Sequence, residues 1–390
     1  MKKEVSFYKS SVNIKPLRKL WIYFIDVICL LIISCLFFGV SELISSNLDV
    51  VKNKRNSMSV QKDQLYTLVD DSKLDVYENS SLKGSSSICK KYMYSLVLES
   101  LKYNNEEASN SSQYSGIYPI NKETDNVYYY YVTYKTSNIN DYSIKENYGV
   151  EYFLTLSKSN IDFDKYFEIR DNYPSLKKDI ALSIHEYFNN ENYTIGKSNY
   201  DTIYNYYSNM LSKGITDFTS YYSPYVNLNN EFNNGATYLL SIKIYELFAS
   251  YLLSSLLLFV MFPLIFKDGK TLTFKIFHMA TCKLDGNTPN ITNYLLKWFI
   301  NLLEYLVVIS IIGIIFFNAD IISLFQINLF GFFNLLTMSL FSLIIIILSI
   351  IYMFINKNKQ TISEFVSMVL VKDGKEFTIV NKEEENGTRK

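Results

Sequence analysis

Four apolar runs, residues 20–40, 239–266, 295–317 and about 331–355, are each long enough to cross the roughly 30 Å hydrocarbon core of a bilayer as a helix. Water is absent there, so every backbone N–H and C=O has to be paired within the segment, which a helix does by itself. The runs are unevenly spaced. Between the first and second lies a polar block rich in Tyr, Asn and Ser. The expected fold is a mostly α membrane protein: a bundle of four spans (20–41, 239–266, 295–317, 331–355) with one domain, residues 42–238, outside it.

Charge sets the expected orientation. Lys2, Lys3, Lys9, Lys15, Arg18 and Lys19 precede the first run, and cytoplasmic flanks carry the excess of Lys and Arg. The N-terminus (1–19) is therefore expected in the cytoplasm. Alternation puts the block 42–238 outside and the loop 267–294, with Lys267, Lys270, Lys275 and Lys283, inside. The connection 318–330 has no Lys or Arg and falls outside, and the segment 356–390, with Lys357 and Lys359, falls inside. The first run is too long for a cleaved signal peptide and lacks a small-x-small site near its end, so it reads as an uncleaved anchor.

The 390 residues carry 38 basic and 38 acidic side chains, so no global field points to nucleic acid. Cys89 is the one cysteine in the outer block, which therefore has no disulfide of its own. A large external domain without disulfides, and heavy use of Lys, Asn, Ile and Tyr, suit a bacterial cell membrane.

Within the outer block, residues 89–103 have helical spacing. Pro174 opens a second helical pattern through Ile180, Ile184 and Phe188, and residues 127–134 and 150–156 read as strands from their aromatic and β-branched content. An α+β domain follows. Its tyrosines serve either as a sugar- or peptide-binding surface or as an aromatic core. His185 has no second His or Cys at ligand spacing and reads as a surface residue. No nucleophile motif, phosphate loop or metal signature stands in the chain, so neither an enzyme nor a cofactor is expected.

Charges inside the apolar runs carry the functional reading. Asp26 sits within the first, and a central carboxylate costs about 2.5–3.5 kcal/mol on insertion scales, so it is expected to face protein, a partner or water. Lys19 and Asp26, seven apart, share one helix face, with Arg18 beside it. The third run repeats the device with Lys297, Asn301 and Glu304. Two readings stay open: an ion path in which Asp26 and Glu304 take up a proton or cation, and a packing role in which Asp26 pairs with Lys297 or Lys19. Glu246 is read through its neighbour Lys243 and nearness to water.

After the second run, Lys267-Asp268-Gly269-Lys270-Thr271-Leu272-Thr273-Phe274-Lys275-Ile276-Phe277 leads to Lys283-Leu284-Asp285-Gly286-Asn287-Thr288-Pro289. This resembles the RDD family of bacterial membrane proteins, over residues 16–40 and 239–371. The family is named for an arginine at the start of the first helix, matched by Arg18 or Lys19, an aspartate within it, matched by Asp26, and a second aspartate near the C-terminal end. Thr361-Ile362-Ser363-Glu364-Phe365 offers Glu364 for the last. The resemblance implies an integral membrane protein active in transport, with cation/proton exchange proposed for some members.

The C-terminal segment reads as an interfacial helix with Ile362, Phe365, Val366, Val369 and Leu370 on one face. Asp268-Gly269, Asp285-Gly286 and Asp373-Gly374 read as turns. Two other plans fit the same order of segments: an FtsX-like or MacB-like permease subunit working with a cytoplasmic ATPase, and an external binding module anchored by the bundle. The expected partners are the lipid bilayer, a further copy of the chain, and an extracellular ligand or protein.

Overall fold

The computed structural model describes residues 14–74, 77–78, 81–82, 86–137, 148–266, 270–284, 286–317, 328–330 and 333–373. Lys2, Lys3, Lys9, Lys267, the Asp268-Gly269 turn, Asp285, Gly374 and most of the connection 318–330 lie outside them. The long helices are α1 (Pro16–Asn47), α2 (Asp49–Ser72), α3 (Ser86–Tyr103), α4 (Val150–Asn160), α5 (Lys178–Asn189), α6 (Thr194–Tyr221), α7 (Ser223–Leu256), α8 (Ile291–Glu304), α9 (Val307–Phe317) and α10 (Leu335–Ile355). Two compact units result: Met1–Lys52 with Tyr238–Lys390, and Asn53–Thr237.

Three helical stretches, Pro16–Asn47, Ser223–Ile265 and Leu335–Ile355, are long and apolar enough to cross a membrane. Pro16 opens α1, where its missing N–H costs nothing. Lys19, Ile22, Asp26, Leu30, Ser34 and Phe38 form its buried stripe, at intervals of three or four residues. Leu17, Trp21, Phe24, Ile32 and Leu36 are exposed on the rest of its surface. An apolar face of that extent suits lipid as its solvent.

The third run is not one straight span. α8 and α9 meet at 55° around Tyr305 and Leu306. The bend frees backbone groups that lipid cannot satisfy. Ser342 of α10 satisfies two of them: its hydroxyl donates to the Glu304 carbonyl at 2.6 Å and accepts the Val307 N–H at 3.2 Å. Tyr305 turns into the core beside Phe259, Leu30 and Val308.

The C-terminal segment also differs from expectation. Its helix is short, Ile362–Val366, and Met368 at φ 56° turns the chain into the strand Val369–Asp373, antiparallel to Met279–Lys283. Val369 and Leu370 thus lie on a strand, because the β-branched and apolar residues there find a matching partner in the loop after α7. Among the suggested turns, Gly286 adopts φ 84° and its N–H reaches the Lys283 carbonyl at 3.0 Å.

The second unit is almost all helical, which corrects the α+β reading. Residues 127–134 are helical, capped by the Asp125 carboxylate on the Val127 and Tyr128 N–H groups at 3.0 and 3.1 Å. Residues 150–156 belong to α4. Aromatic residues favour strands only where one sheet face is buried; here Tyr128, Tyr130, Tyr131 and Tyr134 are packed on a helix among α3, α4 and α6. Pro174 lies in a hairpin, Phe167–Arg170 with Tyr173–Leu176, and α5 begins only at Lys178. Asp171 and Asn172 turn that hairpin with φ 49° and 61°, the twist two-residue loops require.

Many tyrosines here are core, among them Tyr92, Tyr114, Tyr128, Tyr130, Tyr173, Tyr206 and Tyr207. Two carboxylates take up their hydroxyls. Asp125 accepts from Tyr173 at 2.9 Å and Tyr207 at 3.4 Å, and Asp217 from Tyr130 at 2.7 Å and Tyr148 at 3.2 Å. Lys135, fully buried, lies 3.1 Å from Asp217, and burial lowers its amine to about 8. His185 is packed rather than exposed, its Nδ1 2.9 Å from the Tyr114 hydroxyl and 2.6 Å from Gln113 Nε2.

Asp125 gives this unit a pH signature. Burial raises its carboxyl from 3.8 to about 6, so the folded unit holds this proton more tightly than the unfolded chain does. Its contribution is therefore greatest in acid, and is lost as pH rises from about 4 to about 6, by at most about 3 kcal/mol. Asp125→Asn removes the titration, so the slope of unfolding midpoint against pH between about 4 and 7, followed by tyrosine near-ultraviolet dichroism of the full chain, is expected to flatten. An unchanged slope would contradict the assignment.

Candidate functional site

The charged residues of the first unit converge at the end of α1 that begins with Pro16. Lys19 Nζ lies 2.7 Å from Glu364 Oε2 and donates to the Lys359 carbonyl at 2.8 Å, with both side chains of the pair at most 5% exposed. Thr361 fixes the acid: its hydroxyl accepts the Glu364 N–H at 3.2 Å, while Glu364 Oε2 accepts the Thr361 N–H at 3.3 Å. This is a reciprocal cap that pins both ends of the short helix's first turn. Arg18 takes a second acid, its Nη1 2.7 Å from Asp373 Oδ2, and its Nη2 donates to the Phe277 carbonyl at 3.0 Å.

One helical turn further along, Tyr23 donates to Glu304 Oε2 at 2.6 Å and lies 3.3 Å from the Ser363 hydroxyl. Ser363 in turn lies 3.1 Å from the Thr361 hydroxyl. The Thr273 hydroxyl lies 4.0 Å from Cys29 Sγ on α1. Lys297 lies with its Nζ 5.0 Å from the centre of the Phe274 ring. A cavity of about 20 Å³, room for a single water molecule, is lined by Lys19, Tyr23, Asp26, Lys297, Asn301 and Glu364 among others.

Three acceptor atoms in this cluster, Asp26 Oδ1, Asn301 Oδ1 and Glu304 Oε1, are buried without a hydrogen-bond partner. A buried polar atom left unpaired costs about 1–3 kcal/mol, more for a charge, so three together are a marked departure from ordinary packing. Glu304 is fully buried, Asn301 2% exposed and Asp26 5% exposed.

The structure thus brings Lys19, Asp26, Lys297, Asn301, Glu304 and Glu364 into one cluster, with Arg18 at its margin. The expected ion pair of Asp26 with Lys19 or Lys297 is corrected. Lys19 is taken by Glu364, because residues seven apart on α1 are about 10 Å apart along the axis and cannot touch. Among the described residues no cation stands within 4.0 Å of Asp26. Glu246 is corrected too: Lys243 pairs with Glu42 at 3.0 Å, leaving both Glu246 oxygens buried and without a hydrogen bond.

Tyr23, Thr273, Ser363 and Asp373 were not expected at the site. Tyr23 carried a signal: it lies four residues after Lys19 and three before Asp26, the position Asn301 holds between Lys297 and Glu304. No known protein family, curated protein or solved structure matches this chain.

Proposed function

We propose that this chain is an RDD-like multi-pass protein of a bacterial cell membrane, whose buried cluster takes up a proton or a small monovalent cation for transport. In this reading the bundle has four spans, with the bent pair α8 and α9 as the third and both termini in the cytoplasm. The second unit is then an external recognition or gating domain. The observation that carries the reading is the set of unpartnered oxygens on Asp26, Asn301 and Glu304.

Charge counting supports it. Lys19 and Lys297 face Asp26, Glu304 and Glu364 in the cluster, so three acids meet two cations. A buried surplus negative charge is costly unless a proton or cation neutralises it. Oxygens lacking donors are suited to either, and hydroxyls on Tyr23, Ser363 and Thr361 extend the polar contact beyond Glu304.

The test is flux. In proteoliposomes carrying the full chain, Asp26→Asn with Glu304→Gln is expected to abolish proton or monovalent-cation movement, read by an internal pH dye and by cation replacement, while yield and thermal stability stay near those of the parent. Normal flux from that double variant would rule the reading out.

A further inference from the structure

The segments that follow α7 and α10 are built alike. Thr271 caps the five-residue helix Leu272–Ile276 by accepting the Phe274 N–H at 3.2 Å, and Thr361 caps the five-residue helix Ile362–Val366 by accepting the Glu364 N–H at 3.2 Å. Each helix is followed by a left-handed residue, His278 at φ 53° and Met368 at φ 56°, and then by a five-residue strand. Thr273 thus corresponds to Ser363, and Phe274 to Glu364.

The two strands pair antiparallel, with equivalent residues opposed at the centre of the ladder. Thr281 opposes Val371 at the centre; Met279 opposes Asp373, and the equivalent pair, Val369 with Lys283, is also formed. Residue i meeting j while the equivalent of j meets the equivalent of i is the mark of a two-fold contact.

The helices that approach these segments match as well. Lys19-Leu20-Trp21-Ile22-Tyr23-Phe24-Ile25-Asp26 aligns with Lys297-Trp298-Phe299-Ile300-Asn301-Leu302-Leu303-Glu304, sharing the lysine, the isoleucine and the terminal acid. Their contacts obey the same exchange. Lys19 reaches position 364 and Lys297 reaches the equivalent position 274, where it meets a ring face. Arg18 donates to the Phe277 carbonyl at 3.0 Å, and Asn293, one helical turn before the position that aligns with Arg18, donates to the equivalent Ser367 carbonyl at 2.9 Å. Thr273 Oγ1 lies 4.0 Å from Cys29 Sγ on α1, and Glu304 accepts from Tyr23, which lies 3.3 Å from the equivalent Ser363.

We infer that this unit is a fused pair of repeats, one ending in residues 271–283 and the other in 361–373, and that its cluster is a two-fold site with Asp26 and Glu304 as equivalent proton-binding acids. The proton-binding part rests on the function proposed above; the repeat does not. Position 274/364 breaks the equality. Glu364 pairs with Lys19, whereas Phe274 sets a ring face, not an acid, against Lys297.

Exchanging the two residues tests the repeat. In the detergent-purified full chain, Glu364→Phe strands Lys19 and is expected to lower the unfolding midpoint; adding Phe274→Glu rebuilds the mirror arrangement, with the ion pair now on Lys297, and is expected to recover at least half of the loss. If Glu364→Phe alone does not accumulate, recovery of folded protein by the second change is the same result. A double variant no better than Glu364→Phe alone overturns the repeat. For the acids, proton uptake after a pH jump is expected to fall by about half in Asp26→Asn and in Glu304→Gln, and to vanish in both together. Total loss from one and none from the other overturns their equivalence; unchanged uptake in the double variant overturns proton binding and leaves the repeat standing.

Discussion

Glu364→Ala is expected to destabilise the chain by about 3–5 kcal/mol, because it leaves the Lys19 ammonium buried with no anion against it. Lys19 keeps only the Lys359 carbonyl, at 2.8 Å, and the cap that Glu364 makes with Thr361 is lost as well. Removing the cation too, as Lys19→Met with Glu364→Ala, is expected to restore most of that loss, since an apolar side chain of similar length fills the space without a charge to neutralise. Arg18→Ala offers a contrast. Its bridge to Asp373 is 40% and 24% exposed, so its coupling is expected to stay below about 1 kcal/mol. Thermal unfolding of the three detergent-purified variants beside the parent checks this. A loss from Arg18→Ala as large as that from Glu364→Ala would mean that burial does not rank the two bridges.

The difference between those bridges also marks what a sequence reading reaches. The apolar runs and the i, i+4, i+7 spacing of Lys297, Asn301 and Glu304 place acids on inward faces, because helical periodicity is local and the burial pattern follows it. The partner of Lys19 is not local. It comes from beyond the last long helix, through a capped turn and strand that only pairing with Met279–Lys283 fixes. The same limit explains the second unit. Tyrosine-rich residues 127–134 resemble a strand by propensity, but Asp125 caps them as a helix and neighbouring helices bury the rings on several sides. The bend after Glu304 is hidden because no Pro or Gly stands at residues 304–307 to mark it; what permits it is Ser342, one serine in a different run.

Tyr23→Phe is expected to slow proton movement about a hundredfold while the fold persists, within the range that a positioned proton-transfer group contributes. The ring would still pack against Tyr305, with centroids 5.6 Å apart. Only the hydroxyl goes, and with it the 2.6 Å bond to Glu304 and the 3.3 Å contact to Ser363. A phenol can accept from one hydroxyl while donating to a carboxylate, so it joins the acid in the span to the capped turn at residues 361–364. Stability is expected to fall by about 1–3 kcal/mol, since Glu304 loses a donor in a buried place. Flux in proteoliposomes measured in light and heavy water separates the two roles. If Tyr23 relays the proton, the isotope effect should shrink as passage through the remaining water-sized space becomes limiting by access rather than by proton transfer. Parent-level flux with an unaltered isotope effect would leave the hydroxyl a structural bond to Glu304 and put the proton's route elsewhere.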